Sequence, residues 1–230
     1  MTFIRSLLFL VWFLAVTAVL SLVFLPVLIL PAGATRWLAR IWSRATFFGL
    51  KLFAGIDWEI RGVPPQGPAL VASKHMSMWD TLALWLALPG PAIVLKRELL
   101  RIPFYGWFLW KGAAIAIDRS AGARALRKMN DEAQAALKDG RPILIFPEGT
   151  RKQPGAAPDY KPGVAGLYSL LGVPCVPVAL NSGVYWKGFD KYPGTIVLEF
   201  LPAIPPGLKR AEFMRVLEER IETATARLLP

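Results

Sequence analysis

The 230-residue chain is 54% apolar, with nine Trp, thirteen Phe and a mean hydropathy of +0.42, which suits one domain with an attachment segment and is too hydrophobic for an ordinary soluble domain. Its 27 Lys+Arg against 16 Asp+Glu give a formal net charge of +11, so an anionic partner is expected, either a nucleic acid or an acidic membrane surface with anionic substrates. No nucleic-acid motif is visible, which favours the membrane, and the single Cys175 excludes an internal disulfide and a cysteine-based metal cluster.

Between Arg5 and Arg36 no residue is charged. About 20 apolar residues in a helix span the hydrocarbon core, so this run is long enough to cross or enter a bilayer, even with Pro26 bending or ending it. The charged residues that follow are all positive until Asp57: Arg36, Arg40, Arg44 and Lys51. By the positive-inside tendency the rest of the chain is expected on the cytoplasmic side of an inner membrane. The four-residue spacing of Arg36, Arg40 and Arg44 puts them in one stripe on a helix. Such a helix suits the headgroup layer, with arginines on lipid phosphates; a spanning or bundle helix with solvated arginines is the alternative.

From Ile56 onward short β-like runs alternate with helical ones. The strands expected are IDWEI, PALVAS, PAIVL, AAIAID, PILIFP, VPCVPVAL and TIVLEFL, and the clearest helices are Met78 to Leu88, Gly122 to Lys138, Pro162 to Leu171 and Lys209 to Leu228. This alternation predicts an α/β fold, a central mostly parallel or mixed sheet flanked by helices, preceded by N-terminal membrane-anchoring helices. The expected division is residues 1–54 for the anchor and 55–230 for the α/β domain. Residues 151–162, polar and rich in Pro and Gly, read as a mobile loop.

Three stretches carry candidate chemistry. His75 is the only histidine, and Asp80 follows five positions later. Only histidine has an unperturbed pKa near neutrality, so any base working there has one obvious candidate. Ser77 and Asp80 resemble a capping box that starts a helix near Met78, and Asp80 in its first turn can reach back toward the imidazole. Read alone, Asp80 is as easily a plain helix cap and His75 an ordinary polar residue. In Phe146-Pro-Glu148-Gly149-Thr150-Arg151 a buried strand runs into a turn with a carboxylate, a glycine, a hydroxyl and a guanidinium. Ligands bind at strand ends in α/β sheets, Gly149 permits close backbone approach, and Arg151 can grip a phosphate in a fork. In the run from Leu95 to Trp107, Lys96, Arg97 and Arg101 precede an aromatic, apolar surface, which is either an anion grip or a solvated basic face.

Together, the His75-x4-Asp80 pair, the KREL-xxx-P-xx-G run from Lys96 to Gly106, FPEGTR ending at Arg151, and the Val173 to Leu180 strand resemble the four ordered blocks of the glycerolipid acyltransferase family, over roughly Ile60 to Pro206. The resemblance is nearest to its lysophosphatidic acid-using members. Lys74, where the family often has Asn, is a departure, and the match around Cys175 is loose. The resemblance implies transfer of a fatty acyl group from acyl-CoA or acyl carrier protein to the sn-2 hydroxyl of lysophosphatidic acid, giving phosphatidic acid for phospholipid synthesis. His75 would be general base and Asp80 its orienting partner, both catalytic. Lys96, Arg97 and Arg151 would bind phosphate, with Glu148, Gly149 and Thr150 completing the substrate site. No metal and no cofactor beyond the thioester co-substrate is expected, the partners being a bilayer with anionic lipids and no nucleic acid. Acceptors such as glycerol-3-phosphate, another lysophospholipid or a lyso-aminolipid would need the same His/Asp pair, and a non-catalytic anionic-lipid-binding protein is the alternative outside enzymes. Cys175, among apolar residues and prolines, reads as structural, which favours direct transfer over a cysteine-bound acyl group.

Overall fold

Alternation at period two decides the centre of the molecule. In the strand Leu70–Ser73, Leu70 and Ala72 enter one apolar cluster and Val71 the other; in Ile143–Ile145, Ile143 and Ile145 divide from Leu144 in the same way. Successive side chains of a strand point to opposite faces, so a sheet buried on both sides needs apolar residues at every position. The computed structural model of the protein describes residues 1–118 and 122–230.

The strands are β1 (Ile56–Arg61), β2 (Leu70–Ser73), β3 (Ala92–Lys96), β4 (Ile115–Ile117), β5 (Ile143–Ile145), β6 (Cys175–Leu180), β7 (Trp186–Lys187), β8 (Asp190–Lys191) and β9 (Gly194–Phe200). Seven form one sheet in the order β1-β9-β6-β2-β5-β3-β4, while β7 and β8 pair separately. Every neighbour in the large sheet is parallel except β6 against β9. The mixed, mostly parallel sheet is the one expected, and each of its seven strands falls on a predicted run. The β7–β8 hairpin was not anticipated, because two-residue strands leave no periodic pattern.

Helices cover both faces: α1 (Thr2–Val23), α2 (Ala32–Gly49), α3 (Trp79–Ala87), α4 (Tyr105–Lys111), α5 (Gly122–Lys138), α6 (Gly163–Leu171), the short α7 (Ser182–Tyr185) and α8 (Arg210–Leu228). Phe9, Phe47 and Trp79 bring α1, α2 and α3 to one face. Met129, Tyr168 and Phe213 bring α5, α6 and α8 to the other.

The first two helices form an antiparallel hairpin turned at a 3-10 segment, Leu25–Ile29, that contains Pro26. Trp12 Nε1 donates to the Ala45 carbonyl at 2.9 Å, Trp42 Nε1 donates to Thr17 Oγ1 at 2.9 Å, and Phe24 meets Trp37 edge-on. α1 is the one helix among the described residues long and apolar enough to cross a membrane. Its start is nevertheless docked on the α/β body: Ser6 Oγ accepts the Lys191 N–H at 2.9 Å, and Phe9 packs against Trp186 at 5.4 Å. A Cβ on Gly49 would lie 2.0 Å from Trp12 Cδ1, so only glycine lets the helices close there. Gly49→Val should therefore cost about 1–3 kcal/mol of overpacking, a fall of about 2–10 °C in Tm for a chain of this size. Thermal unfolding in detergent would read it, and an unchanged Tm would contradict so close an approach.

The arginine stripe differs from expectation. Arg40 turns inward and donates to the carbonyls of Leu86 at 2.9 Å and Leu88 at 3.0 Å, at the C-terminal end of α3. Lys51 pairs with Asp57 at 2.6 Å, and of the three arginines only Arg44 is classed as exposed. Helix ends need partners for their last carbonyls, and the guanidinium supplies two donors at once.

Candidate active site

Four neighbouring strands, β6, β2, β5 and β3, deliver their C-terminal ends to one edge of the sheet. His75 lies two residues beyond β2, the FPEGTR turn follows β5, Lys96 ends β3, and Asn181 and Ser182 follow β6. Blocks scattered through the sequence meet because parallel strands all end on the same side.

His75 Nδ1 lies 2.9 Å from Asp80 Oδ2. A carboxylate oxygen with no proton can only accept, so the bond assigns the imidazole proton to Nδ1 and leaves Nε2 as the basic nitrogen. Asp80 is fully buried and His75 is 13% exposed. Asp80 Oδ2 also accepts the N–H groups of Met76 at 2.7 Å and Ser77 at 2.9 Å. Its Oδ1 accepts Ser77 Oγ at 3.2 Å and, more closely, Ser182 Oγ. The two hydroxyls are themselves bonded at 2.9 Å. Asp80 thus ties down the loop that leads into α3 and orients His75 at the same time. The expected reciprocal box is only half made: Ser77 Oγ takes the Trp79 N–H at 3.2 Å rather than that of Asp80.

The imidazole stacks on Phe146, ring centroids 4.0 Å apart and 20° from parallel. The His75 carbonyl accepts the Lys152 N–H at 2.9 Å. Between those two contacts runs the turn itself, closed by the Gly149 N–H on the Phe146 carbonyl at 2.9 Å, with Pro147 second and Gly149 at a φ of 64°. Proline and glycine at those places fit the turn's backbone.

His75 lines a cavity of about 1310 Å³. Leu14 and Leu38 of the helical hairpin, Trp85 of α3 and Phe108 of α4 give it an apolar wall, while Lys96, Arg151 and Lys161 add cations. No carboxylate pairs with Lys96 or Arg151 among the described residues, whereas Lys161 Nζ is held by Asp159 at 2.7 Å. Tyr105 also lines the cavity; burial pushes its hydroxyl pKa up, against the nearby Arg151 charge. Apolar walls with these two cations and a base suit an amphiphile with an anionic head.

The model of the Acyltransferase family matches residues 58–181. This chain belongs to that family. A 1-acyl-sn-glycerol-3-phosphate acyltransferase of Pseudomonas aeruginosa is 40% identical over 181 residues, 76% of this chain and 70% of that protein. The human 1-acyl-sn-glycerol-3-phosphate acyltransferase alpha is 33% identical over 195 residues, 80% of this chain and 69% of that one. In fold, the chain matches the crystal structure of a 1-acyl-sn-glycerophosphate acyltransferase from Thermotoga maritima with a TM-score of 0.80 at 23% identity, over 99% of this chain and 98% of that one.

In this acyltransferase His75, Lys96, Gly149, Thr150 and Arg151 all line the cavity, with Asp80 directly behind His75. Two of the candidates lie elsewhere. Arg97, at the start of the short 3-10 helix Arg97–Arg101, is exposed and reaches Asp118 at 3.4 Å. Glu148 is buried behind the turn and bonded to Lys74 rather than presented to the cavity. Burial raises its pKa above the ordinary carboxylate value, with the Lys74 ammonium opposing. Cys175 is fully buried under α8, and burial alone pushes its thiol pKa upward, as an inert structural cysteine requires.

Sequence reasoning passed over Ser182, which bonds Asp80, and Lys161. Ser182 follows the end of β6 as His75 follows the end of β2, so the strand-end rule applied to the fourth block would have found it.

Proposed function

We propose that this acyltransferase moves a fatty acyl group from a thioester, acyl-CoA or acyl carrier protein, to the sn-2 hydroxyl of lysophosphatidic acid, with His75 as general base. The observation that carries the reading is the oriented His75–Asp80 pair in the wall of an apolar cavity that also holds Arg151 and Lys96, with which no carboxylate pairs among the described residues. The names of the Pseudomonas and human relatives support the acceptor.

In this mechanism Arg151 and Lys96 hold the acceptor phosphate and the apolar walls hold acyl chain. His75 Nε2 removes the hydroxyl proton as that oxygen attacks the thioester carbonyl carbon. Asp80 stabilises the resulting imidazolium. Collapse of the tetrahedral intermediate breaks the C–S bond, and the imidazolium returns its proton to the thiolate. The cavity exceeds the roughly 300–1,000 Å³ of a pocket for one drug-sized ligand, which suits two long-chain substrates together.

The same reading has the protein working at a membrane, on its cytoplasmic side. α1 leaves most of its apolar surface uncovered, and on α4 Trp107 and Trp110, the latter 71% exposed, are uncovered too, beside Lys111. Tryptophan and cationic side chains suit the headgroup boundary. A hairpin that begins and ends on the α/β body and walls the cavity suits entry into the bilayer and return.

The test is an acceptor panel with purified protein in mixed micelles, following thiol release with and without lysophosphatidic acid, glycerol-3-phosphate and other lysolipids. Release that depends on lysophosphatidic acid supports the reading, and release with a different acceptor only, or none, sinks it. Arg151→Ala should raise the KM for lysophosphatidic acid by about 10–100-fold, the worth of one or two charge-assisted hydrogen bonds, with the donor KM little changed. If only the donor KM rises, Arg151 serves the thioester instead.

A further inference from the structure

The residue immediately before the base belongs to an arrangement that the reaction steps leave unused. Lys74 is 2% exposed, and its Nζ donates to Glu148 Oε1 at 2.9 Å and to Glu222 Oε1 and Oε2 at 2.8 and 3.0 Å. An ammonium has three donors, so its hydrogen-bonding capacity is filled. Tyr160 adds its hydroxyl to Glu222 Oε1 at 2.8 Å. One buried cation therefore ties together the end of β2, the FPEGTR turn, α8 and the loop that ends at Lys161.

Two carboxylates share this single cation in a place where charge is costly to bury, and burial does raise the Glu148 pKa. Well-packed apolar side chains could hold the same segments together without that cost, so the ionic tie calls for a reason other than adhesion. Its place supplies one. Glu148 lies midway between the two other contacts that grip the histidine loop, the Phe146 ring on the imidazole and the Lys152 N–H on the His75 carbonyl. Arg151 lies on the same short segment and lines the cavity with His75. Whatever fixes Glu148 against Lys74 therefore fixes the spacing between base and guanidinium.

We propose that Lys74 is a positioning residue: through Glu148 and Glu222 it sets the distance between His75 and Arg151, so that an acceptor held by its phosphate presents its hydroxyl to Nε2. This rests on the functional reading above. A misplacement of about 1 Å at a reacting centre can cost on the order of 100-fold in rate, while the phosphate still finds Arg151. Loss of Lys74 should thus appear in kcat and spare acceptor affinity.

The experiment compares wild type with Lys74→Ala in mixed micelles, measuring kcat and the lysophosphatidic acid KM, with and without ethylammonium or propan-1-ol. The expected result is a fall in kcat of about 30–100-fold, a KM within about threefold of wild type, and partial, saturable recovery with ethylammonium only. Equal recovery with propan-1-ol would mean that Lys74 merely fills space, and would overturn the proposal, as would wild-type kcat in the folded variant. Should Lys74→Ala fail to fold, Glu222→Gln removes the charge contributed by α8 and keeps the side chain's shape. It is expected to lower kcat about threefold to tenfold at constant KM, and an unchanged kcat would overturn the proposal. If wild type transfers nothing to lysophosphatidic acid the functional reading falls first; an active wild type with an unaffected variant removes only the role of Lys74.

Discussion

His75→Ala lowers acyl transfer by about 10²–10⁴-fold, the range a positioned general base contributes, and leaves the protein folded. Among the described residues lining the cavity, His75 is the one of a type whose unperturbed pKa lies near neutrality. The ammonium and guanidinium groups around the cavity are donors with no acceptor, and burial pushes the Tyr105 hydroxyl pKa further up. Removing the ring costs little structure. The His75 backbone keeps its bond to Lys152, and Asp80 keeps four other donors, from Met76, Ser77 and Ser182. The ring's stack on Phe146 is lost, a contact worth on the order of 1 kcal/mol between ring systems. Thioester-dependent transfer to lysophosphatidic acid, measured beside a thermal unfolding curve, separates the two effects. A folded variant with near-wild-type turnover would remove His75 as the base.

Much of this site could be read before any coordinates, and the reason is local chemistry. The His75–Asp80 bond spans five residues and the FPEGTR turn six, so both are legible as short patterns whose geometry the chain enforces by itself. The seven sheet strands and four longest helices were likewise legible, since runs such as ILI and VPCVPVAL are apolar at every position and α5 and α8 repeat at helical spacing. What escaped was set by distance along the chain. Ser182 reaches Asp80 across 102 residues and Glu222 reaches Lys74 across 148, and no local pattern announces either. Arg97 and Glu148 are the opposite case. Each carries a functional residue type beside the site, but one lies exposed on a 3-10 turn and a buried lysine claims the other. α4 was missed because Tyr105–Lys111 is aromatic on most of its surface and shows no apolar stripe.

Asp80→Asn is the second large effect, and it isolates charge from shape. Three donors converge on Asp80 Oδ2, namely His75 Nδ1, Met76 N–H and Ser77 N–H, while Oδ1 meets only the hydroxyls of Ser77 and Ser182. An asparagine can therefore enter in one orientation alone. Its carbonyl oxygen must take the three N–H donors, and its amide nitrogen must face the two hydroxyls, which can rotate to accept. The reverse orientation would set N–H against N–H. With the favoured orientation the histidine tautomer survives, the loop into α3 stays tied down and the protein folds. What disappears is the negative charge that, in the proposed mechanism, faces the imidazolium formed as the hydroxyl gives up its proton. We expect kcat to fall by about 10²–10³-fold, short of the roughly 10⁴ found where the same exchange in a serine protease triad also reverses the tautomer. The acceptor KM should stay near wild type, because Asp80 is fully buried behind His75 and does not line the cavity. Asp80→Ala is a poorer test: it strands two buried backbone N–H groups at about 1–3 kcal/mol each, so lost activity there would report on folding as well. A folded Asp80→Asn protein with wild-type kcat would show that Asp80 holds the loop but lends the base nothing.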